Sequence, residues 1–283
     1  MKKFSVAEVL RTATERLTAA AVDSPRLDAE ILLAYVLGWR RLSLYVDAEK
    51  ILPLEKILRF NELISRRLEK IPVAYLTGTR DFMGLSFVVN ENVLIPRPDT
   101  EILTEFVGEF LRERGGGLFA DLGTGSGAIC VSILKFVQSA RAAAVDISAA
   151  ALDVAKFNAN KFHVAERAEF FCGDLFSPLK GKIFDAIVSN PPYIPTRELE
   201  TLQAEVQAEP RQALDGGADG LEFYRRIISG APKFLQVGGL LAVEVGHTQA
   251  ADVKILFERE NFNDVTILLD FANIERVVAG KFF

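Results

Sequence analysis

Cysteine, histidine and long apolar runs are scarce in this chain, and each scarcity removes a class of protein. Two cysteines, Cys130 and Cys172, stand far apart in 283 residues. A disulfide framework is excluded, and a reduced pair of core thiols in the cytoplasm is the expectation. Two histidines, His163 and His247, have no His, Cys or carboxylate at metal-ligand spacing, so both read as structural and no metal is expected. No apolar run approaches the length of a membrane span. The Met1-Lys2-Lys3 start leads to no signal-type apolar stretch before the polar Thr12–Arg16. Positive charge is also short: 33 Lys and Arg against 38 Asp and Glu give a net charge of −5. Residues 1–80 hold 14 basic and 10 acidic side chains, net +4, and the rest hold 19 and 28, net −9. Such a balance argues against a large duplex-DNA footprint.

What the sequence has instead is an odd strand end. Phe184–Val188 reads as a buried strand, and Ser189-Asn190-Pro191-Pro192-Tyr193 follows it. Each proline stiffens the backbone and removes a donor, leaving carbonyls unmatched. The Asn190 side-chain oxygen and the Pro191 carbonyl could accept both hydrogens of a planar NH2 group, with Tyr193 offering an aromatic face. In an open α/β sheet this stretch lies where ligands bind, outside the carboxyl ends of the strands. A plain Pro-Pro turn capped by Asn is the competing reading.

Residues 1–75 carry helical spacing throughout, in Val6, Val9, Leu10 and Leu17 and again in Leu27, Ile31, Leu32, Tyr35 and Val36. Ser24 and Pro25 mark a helix start, Gly38 a stop, and a third helix runs from about Pro53 to Leu68. A small bundle with a solvated basic face and a partner-docking module both fit. Residues 76–95 read as a linker with a β-hairpin over Phe82–Val89, and residues 96–283 as the catalytic domain. Pro96-Arg97-Pro98 makes a rigid turn in which Arg97 is either a surface charge or a group orienting a ligand, and Asp99 or Thr100 caps the next helix.

Strand Leu118–Leu122 enters Asp121-Leu122-Gly123-Thr124-Gly125-Ser126-Gly127 and a helix from Ala128, the strand, glycine-rich turn and helix of a nucleotide cradle. Asp121 would repel a diphosphate and suits a cation such as the sulfonium and ammonium of S-adenosylmethionine. Asp146, ending the next strand, is placed for ribose hydroxyls. Asp174 could accept from an adenine amine between Leu175 and Phe176, or simply serve the turn. The long, polar stretch Ile194–Gly220 reads as a lid over the site.

With these pieces in view, the sequence resembles the release-factor glutamine methyltransferase family (HemK/PrmC). The likeness runs through Pro72–Gly78, Val93–Glu101, Asp121–Ile129, Asn190–Tyr193, Glu209-Pro210, Ala213-Leu214, Gly217 and Glu275-Arg276. It departs from the family at Phe82-Met83-Gly84, where a bulkier aromatic is usual, at Leu175, often aromatic, and at Asn273, often Gly. The resemblance implies a class I S-adenosylmethionine-dependent methyltransferase, a Rossmann-like sheet of seven strands with the last antiparallel, preceded by a small helical bundle. It implies methylation of the glutamine amide in the Gly-Gly-Gln motif of class I peptide release factors, leaving S-adenosylhomocysteine. Asn190, Pro191 and Tyr193 would be catalytic, with Pro192 also contacting substrate. Asp121, Gly123, Thr124, Gly125, Ser126, Gly127, Asp146, Asp174, Leu175, Asn190 and Arg97 would hold the cofactor. A cytoplasmic monomer without direct DNA binding is expected. An amide methyltransferase of ribosomal proteins is the nearest rival, and an adenine-amino DNA methyltransferase a more distant one. A nicotinamide dehydrogenase is disfavoured by Asp121, and a non-catalytic binding module by the intact cofactor loop beside an intact NH2 site.

Overall fold

The computed structural model describes residues 4–270 and 272–283, which divide into two compact units. One runs to Gly78 and also takes in Gln203–Ala208; the other comprises Thr79–Leu202 and Glu209–Phe283. The first is helical: α1 (Val6–Ala19), α2 (Pro25–Leu37), α3 (Ser43–Val46), α4 (Leu54–Leu68) and α5 (Val73–Thr77). Ser5 and Glu8 form a reciprocal capping box that starts α1. Gly38, at φ 68°, ends α2 in the left-handed conformation. Ser24 makes no side-chain cap, and Pro25 alone sets the first turn.

The inner face of α2 differs from the expected apolar stripe. Leu27 and Tyr35 are exposed, whereas Asp28 and Glu30 are buried. Arg67, fully buried from α4, donates to Asp28 at 2.7 Å and also to Glu205 of the Gln203–Ala208 segment. Glu30 takes Arg26 at 2.5 Å and the Tyr45 hydroxyl. Paired in this way, the carboxylates are tolerated where a hydrophobic pattern would not put them.

The second unit opens with a hairpin, β1 (Thr79–Phe82) and β2 (Leu85–Val88), turned by Met83 and Gly84 at φ 52° and 70°. In the sequence it passes for a linker, yet Phe82 and Phe87 are fully buried in the core of this unit. After α6 (Thr100–Glu113) come β3 (Gly117–Leu122), α7 (Ala128–Phe136), β4 (Ala140–Asp146), α8 (Ala149–Lys161), β5 (Ala168–Cys172) and β6 (Phe184–Ser189). Asp99, expected as a cap of α6, makes no cap bond and pairs with Arg276 at 3.0 Å. The stretch to Gly220 holds 3-10 turns at Thr196–Thr201 and Arg211–Ala213 around α9 (Ala204–Gln207), so it is built rather than unpatterned. Then follow α10 (Glu222–Gly230), β7 (Leu235–Glu244), α11 (Ala250–Arg259), β8 (Phe262–Leu269) and β9 (Glu275–Phe282).

The seven main strands lie in the order β5-β4-β3-β6-β7-β9-β8. The first five are parallel, and β9 runs antiparallel to both its neighbours. Strands such as Ala142–Val145 and Leu240–Val243 are apolar on both sides because each face carries a core. Residues of α6, α7 and the hairpin fill one, and those of α10 and α11 the other. Cys130 is buried in α7, but Cys172, at the end of edge strand β5, is exposed, so only one of the two expected core thiols is a core residue. Asn273 adopts φ 61°, a conformation in which asparagine replaces glycine at little cost. No helix among the described residues is long and apolar enough to cross a membrane.

One buried amide ties the hairpin to the glycine loop. Asn158 of α8 accepts from Val88 N at 2.8 Å and donates to Val88 O and Ser126 O, both at 2.9 Å. Asn158→Ala would strand all three groups away from water. It should lower the unfolding free energy by roughly 2–3 kcal/mol in urea titration, against a few tenths for an exposed Asn on the same helix such as Asn160.

Candidate active site

A cavity of about 660 Å³ opens at the carboxyl edge of the sheet, where strand order reverses between β3 and β6. That reversal is the usual ligand crevice of an open α/β sheet, and the volume suits a nucleoside-sized ligand. All of its lining comes from the second unit.

The glycine-rich loop forms one wall through Gly123 and Gly125. Gly125, at φ 54°, and Gly127, at φ 78°, hold left-handed backbone, and a Cβ on Gly127 would also meet Ala155 at 3.2 Å. Thr124, Ser126 and Gly127 do not line the cavity; they shape the loop from beneath. Asp121 likewise lies under the loop, fully buried, accepting from the Thr124 hydroxyl at 2.6 Å and Cys130 N at 3.2 Å. The helix amide of Cys130 is thus taken by the chain's own carboxylate, not left for an anion. The other oxygen, Asp121 Oδ1, has no partner among the described residues. Burial pushes this carboxyl up to about 7, against the pull of Thr124 and Cys130, with Asp146 adding to the rise. A buried carboxylate with one idle oxygen fits a cation, as the sulfonium and ammonium of S-adenosylmethionine would require.

Asp146 lines the cavity with Oδ2 on Gly125 N and Oδ1 on Ser148 N, both at 2.9 Å, so it is oriented by backbone donors. Asp174 and Leu175 also line it, Leu175 at φ 47° in strained left-handed backbone. Asp174 pairs with Arg226, which the sequence reading missed, as it missed Ile147 and Phe223 in the same wall. These three carry no motif and reach the cavity only through the fold. Phe176, expected as a wall, stacks on Phe234 at 4.7 Å against the core and does not line the cavity. The bare Cα of Gly230 makes room for its ring there.

Asn190, Pro191 and Pro192 line the opposite wall, and the Asn190 Nδ2 donates to the Thr100 hydroxyl at 3.1 Å. Tyr193 does not line the cavity. Its ring packs at the core margin, and burial pushes its hydroxyl up to about 12. The backbone here is clasped: a Cβ on Gly216 would come within 2.7 Å of Tyr193 Cα, and one on Gly220 within 2.4 Å of Tyr193 O. Through these contacts, and with Thr196, Pro210, Gln212 and Ala213 in the lining, the 194–202 and 209–220 parts of the stretch roof the cavity.

Arg97 lies outside the lining as well. Its guanidinium is bound at 2.5 Å to the buried carboxylate of Glu209, which also accepts from Ile95 N at 2.9 Å. That pair fastens the end of the roof, so Arg97 is neither a bare surface charge nor in contact with the cavity.

A glycine-loop cavity facing an Asn-Pro-Pro-Tyr strand end, on a sheet of this order, defines a class I methyltransferase. Comparisons agree: residues 98–270 match the family described as methyltransferase small domain, and residues 8–78 the PrmC N-terminal domain. A methyltransferase from Pyrococcus furiosus shares the fold, with TM-score 0.53 and 18% identity, covering 77% of this chain and 96% of that one. The chain belongs to the release factor glutamine methyltransferase family. It is 44% identical to the release factor glutamine methyltransferase of Moorella thermoacetica, over 96% of this chain and 97% of the relative. It is also 44% identical to that of Geobacter sulfurreducens, over 98% and 97%.

The raised carboxyl of Asp121 carries a sign. Its folded-state value of about 7 lies above the unfolded 3.8, so its contribution favours folding at low pH and is lost as pH rises through 7. Without cofactor, the wild type should lose roughly 3 kcal/mol relative to Asp121→Asn between pH 5 and pH 8 in urea unfolding. A pH-independent difference would remove the buried charge from the account.

Proposed function

We propose that this enzyme transfers a methyl group from S-adenosylmethionine to the side-chain amide nitrogen of the glutamine in the Gly-Gly-Gln motif of class I peptide release factors. The observation that carries the reading is the placement of Asn190 and Pro191 across one cavity from the glycine loop and Asp146. The cofactor supplies an electrophilic sulfonium methyl. Asp121 Oδ1 offers a buried negative charge to its cationic end, Asp146 an acceptor for ribose hydroxyls, and Asp174 with Leu175 a polar edge and an apolar face for adenine. Gly123 and Gly125 allow close backbone approach. Thr124, Ser126 and Gly127 contribute by holding that loop.

An amide nitrogen is a poor nucleophile because its lone pair is delocalised. The Asn190 oxygen and the Pro191 carbonyl accept its two hydrogens, which fixes the nitrogen's direction and stabilises the positive charge that develops there. Pro192 shapes the wall, and Tyr193 sets the backbone of the turn. Orientation and electrostatics of this kind need neither a strong base nor a metal. The helical unit, with Leu42, Val46 and Leu58 exposed among basic side chains, serves to dock the release factor. That substrate places the working enzyme in the cytoplasm.

Labelled cofactor should transfer its methyl to purified release factor and not to a factor whose Gly-Gly-Gln glutamine is replaced. Label on both would move the acceptor elsewhere, and label on ribosomal protein alone would favour that class of substrate. Asn190→Ala should lower kcat by about 100-fold or more while the cofactor's Kd stays within a factor of about two.

A further inference from the structure

Glu244 ends β7 at the same sheet edge as Asn190, one strand away, and the reaction as proposed gives it no part. It is 3% exposed, and its Oε2 has no hydrogen-bond partner among the described residues. An unpaired buried acid is costly to keep, so its surroundings matter. Thr100 faces it from the start of α6, with Asp99 just ahead. Asn190 faces it from the end of β6, and Tyr193 and Tyr224 lie within electrostatic range from the following turn and from α10. Arg276 of β9 is the nearby cation, already paired with Asp99 and Asp270 at 3.0 and 2.9 Å. The Tyr224 hydroxyl donates to the Glu244 backbone carbonyl, not to its side chain. Burial raises the Glu244 carboxyl to about 7, opposed first by the Thr100 hydroxyl, with Asp99 adding to the rise and Arg276 and the Asn190 amide opposing it.

The donor inventory gives this cluster a direction. A threonine hydroxyl has one proton to give. At Thr100 that oxygen already accepts from Asn190 Nδ2 at 3.1 Å, so its proton is available to the carboxylate beside it. An ionised Glu244 only accepts. It therefore draws the Thr100 hydroxyl and the NH2 edge of Asn190 inward, which leaves Oδ1 as the edge turned to the cavity. A protonated Glu244 can donate to either neighbour. The bias then disappears, and a flipped amide would present NH2 against the substrate's own NH2.

We propose that Glu244 is a positioning residue for methyl transfer: acting with Thr100, it fixes the side-chain amide of Asn190 so that Oδ1 and not Nδ2 meets the acceptor nitrogen. The inference rests on the function proposed above. Its test is kcat on release factor from pH 5.5 to 8.5, at saturating cofactor so that cofactor affinity does not enter, for wild type, Glu244→Gln and Glu244→Leu. The wild type needs the charged form, so its kcat should be level above the titration and fall by about tenfold per pH unit well below it. Glu244→Gln cannot titrate and, like the protonated acid, offers a donor beside its acceptor, so it should lose that acid-side fall and hold one reduced kcat across the range. Glu244→Leu removes the acceptor and should lower kcat by about tenfold or more at every pH, with cofactor Kd unchanged. A Glu244→Gln profile that keeps the wild-type fall, or Glu244→Leu with wild-type kcat, overturns the assignment. Should the Leu variant fail to bind cofactor, the Gln profile decides. Absence of transfer by the wild type at any pH overturns the proposed function, and the inference with it.

Discussion

The geometry of this enzyme hangs on the join between two strands. In the β3–β6 pair, Ser189 stands opposite Leu122, and the Ser189 hydroxyl, fully buried, donates to the Leu122 carbonyl at 2.7 Å. The residue after Leu122 begins the glycine loop, and the residue after Ser189 is Asn190. One hydrogen-bonded step across a parallel ladder therefore sets the spacing between the loop and the Asn190 turn. A slip of one residue would also turn every side chain of β6 to the opposite face, and both faces are packed. The site is rigid because the core allows no other register.

Around that join the enzyme keeps two acids out of water. Asp121 sits under the glycine loop and Glu244 behind Asn190, each with one oxygen that nothing in the described chain satisfies. Stability alone would favour an apolar residue at both places. In their ionised forms they put negative charge on each side of the cavity, which is what the proposed cationic cofactor and methylated amide would need. The neighbouring cations are themselves paired: Arg97 with Glu209, and Arg276 with Asp99 and Asp270.

Much of this was legible in the sequence, for identifiable reasons. Strands apolar on both faces, a glycine loop after one and Asn-Pro-Pro-Tyr after another specify a parallel sheet and the edge that carries the site. Helices with a marked start or stop, such as α2 and α4, were legible to within a residue or two. The inner face of α2 was not, because charge pairing over 39 and 138 residues of separation buries Asp28 and Arg67. Arg97 was misread for a related reason: a carboxylate 112 residues away claims it. Phe176, Ile147, Phe223 and Arg226 show the same limit, since which side of a turn reaches a cavity depends on the neighbouring helix. Glu244 could have been suspected from an acid at the end of an otherwise apolar strand, but its company comes from three other elements.

The segment Gln203–Ala208 leaves the methyltransferase unit, supplies Glu205 to the buried Arg67, and returns in time for Glu209 to bind Ile95 and Arg97. The helical unit is therefore not an appendage with one point of attachment. Its sequence is discontinuous, with Gln203–Ala208 drawn from between two parts of the other unit's sequence. Cutting the chain at Gly78 would not release an intact catalytic half. It would leave Glu205 without its cation and break a unit that is built from two separate pieces of sequence. A truncation that abolished activity would then report a broken helical unit as readily as a lost docking surface, and genetic recombination between relatives would have to exchange both pieces together.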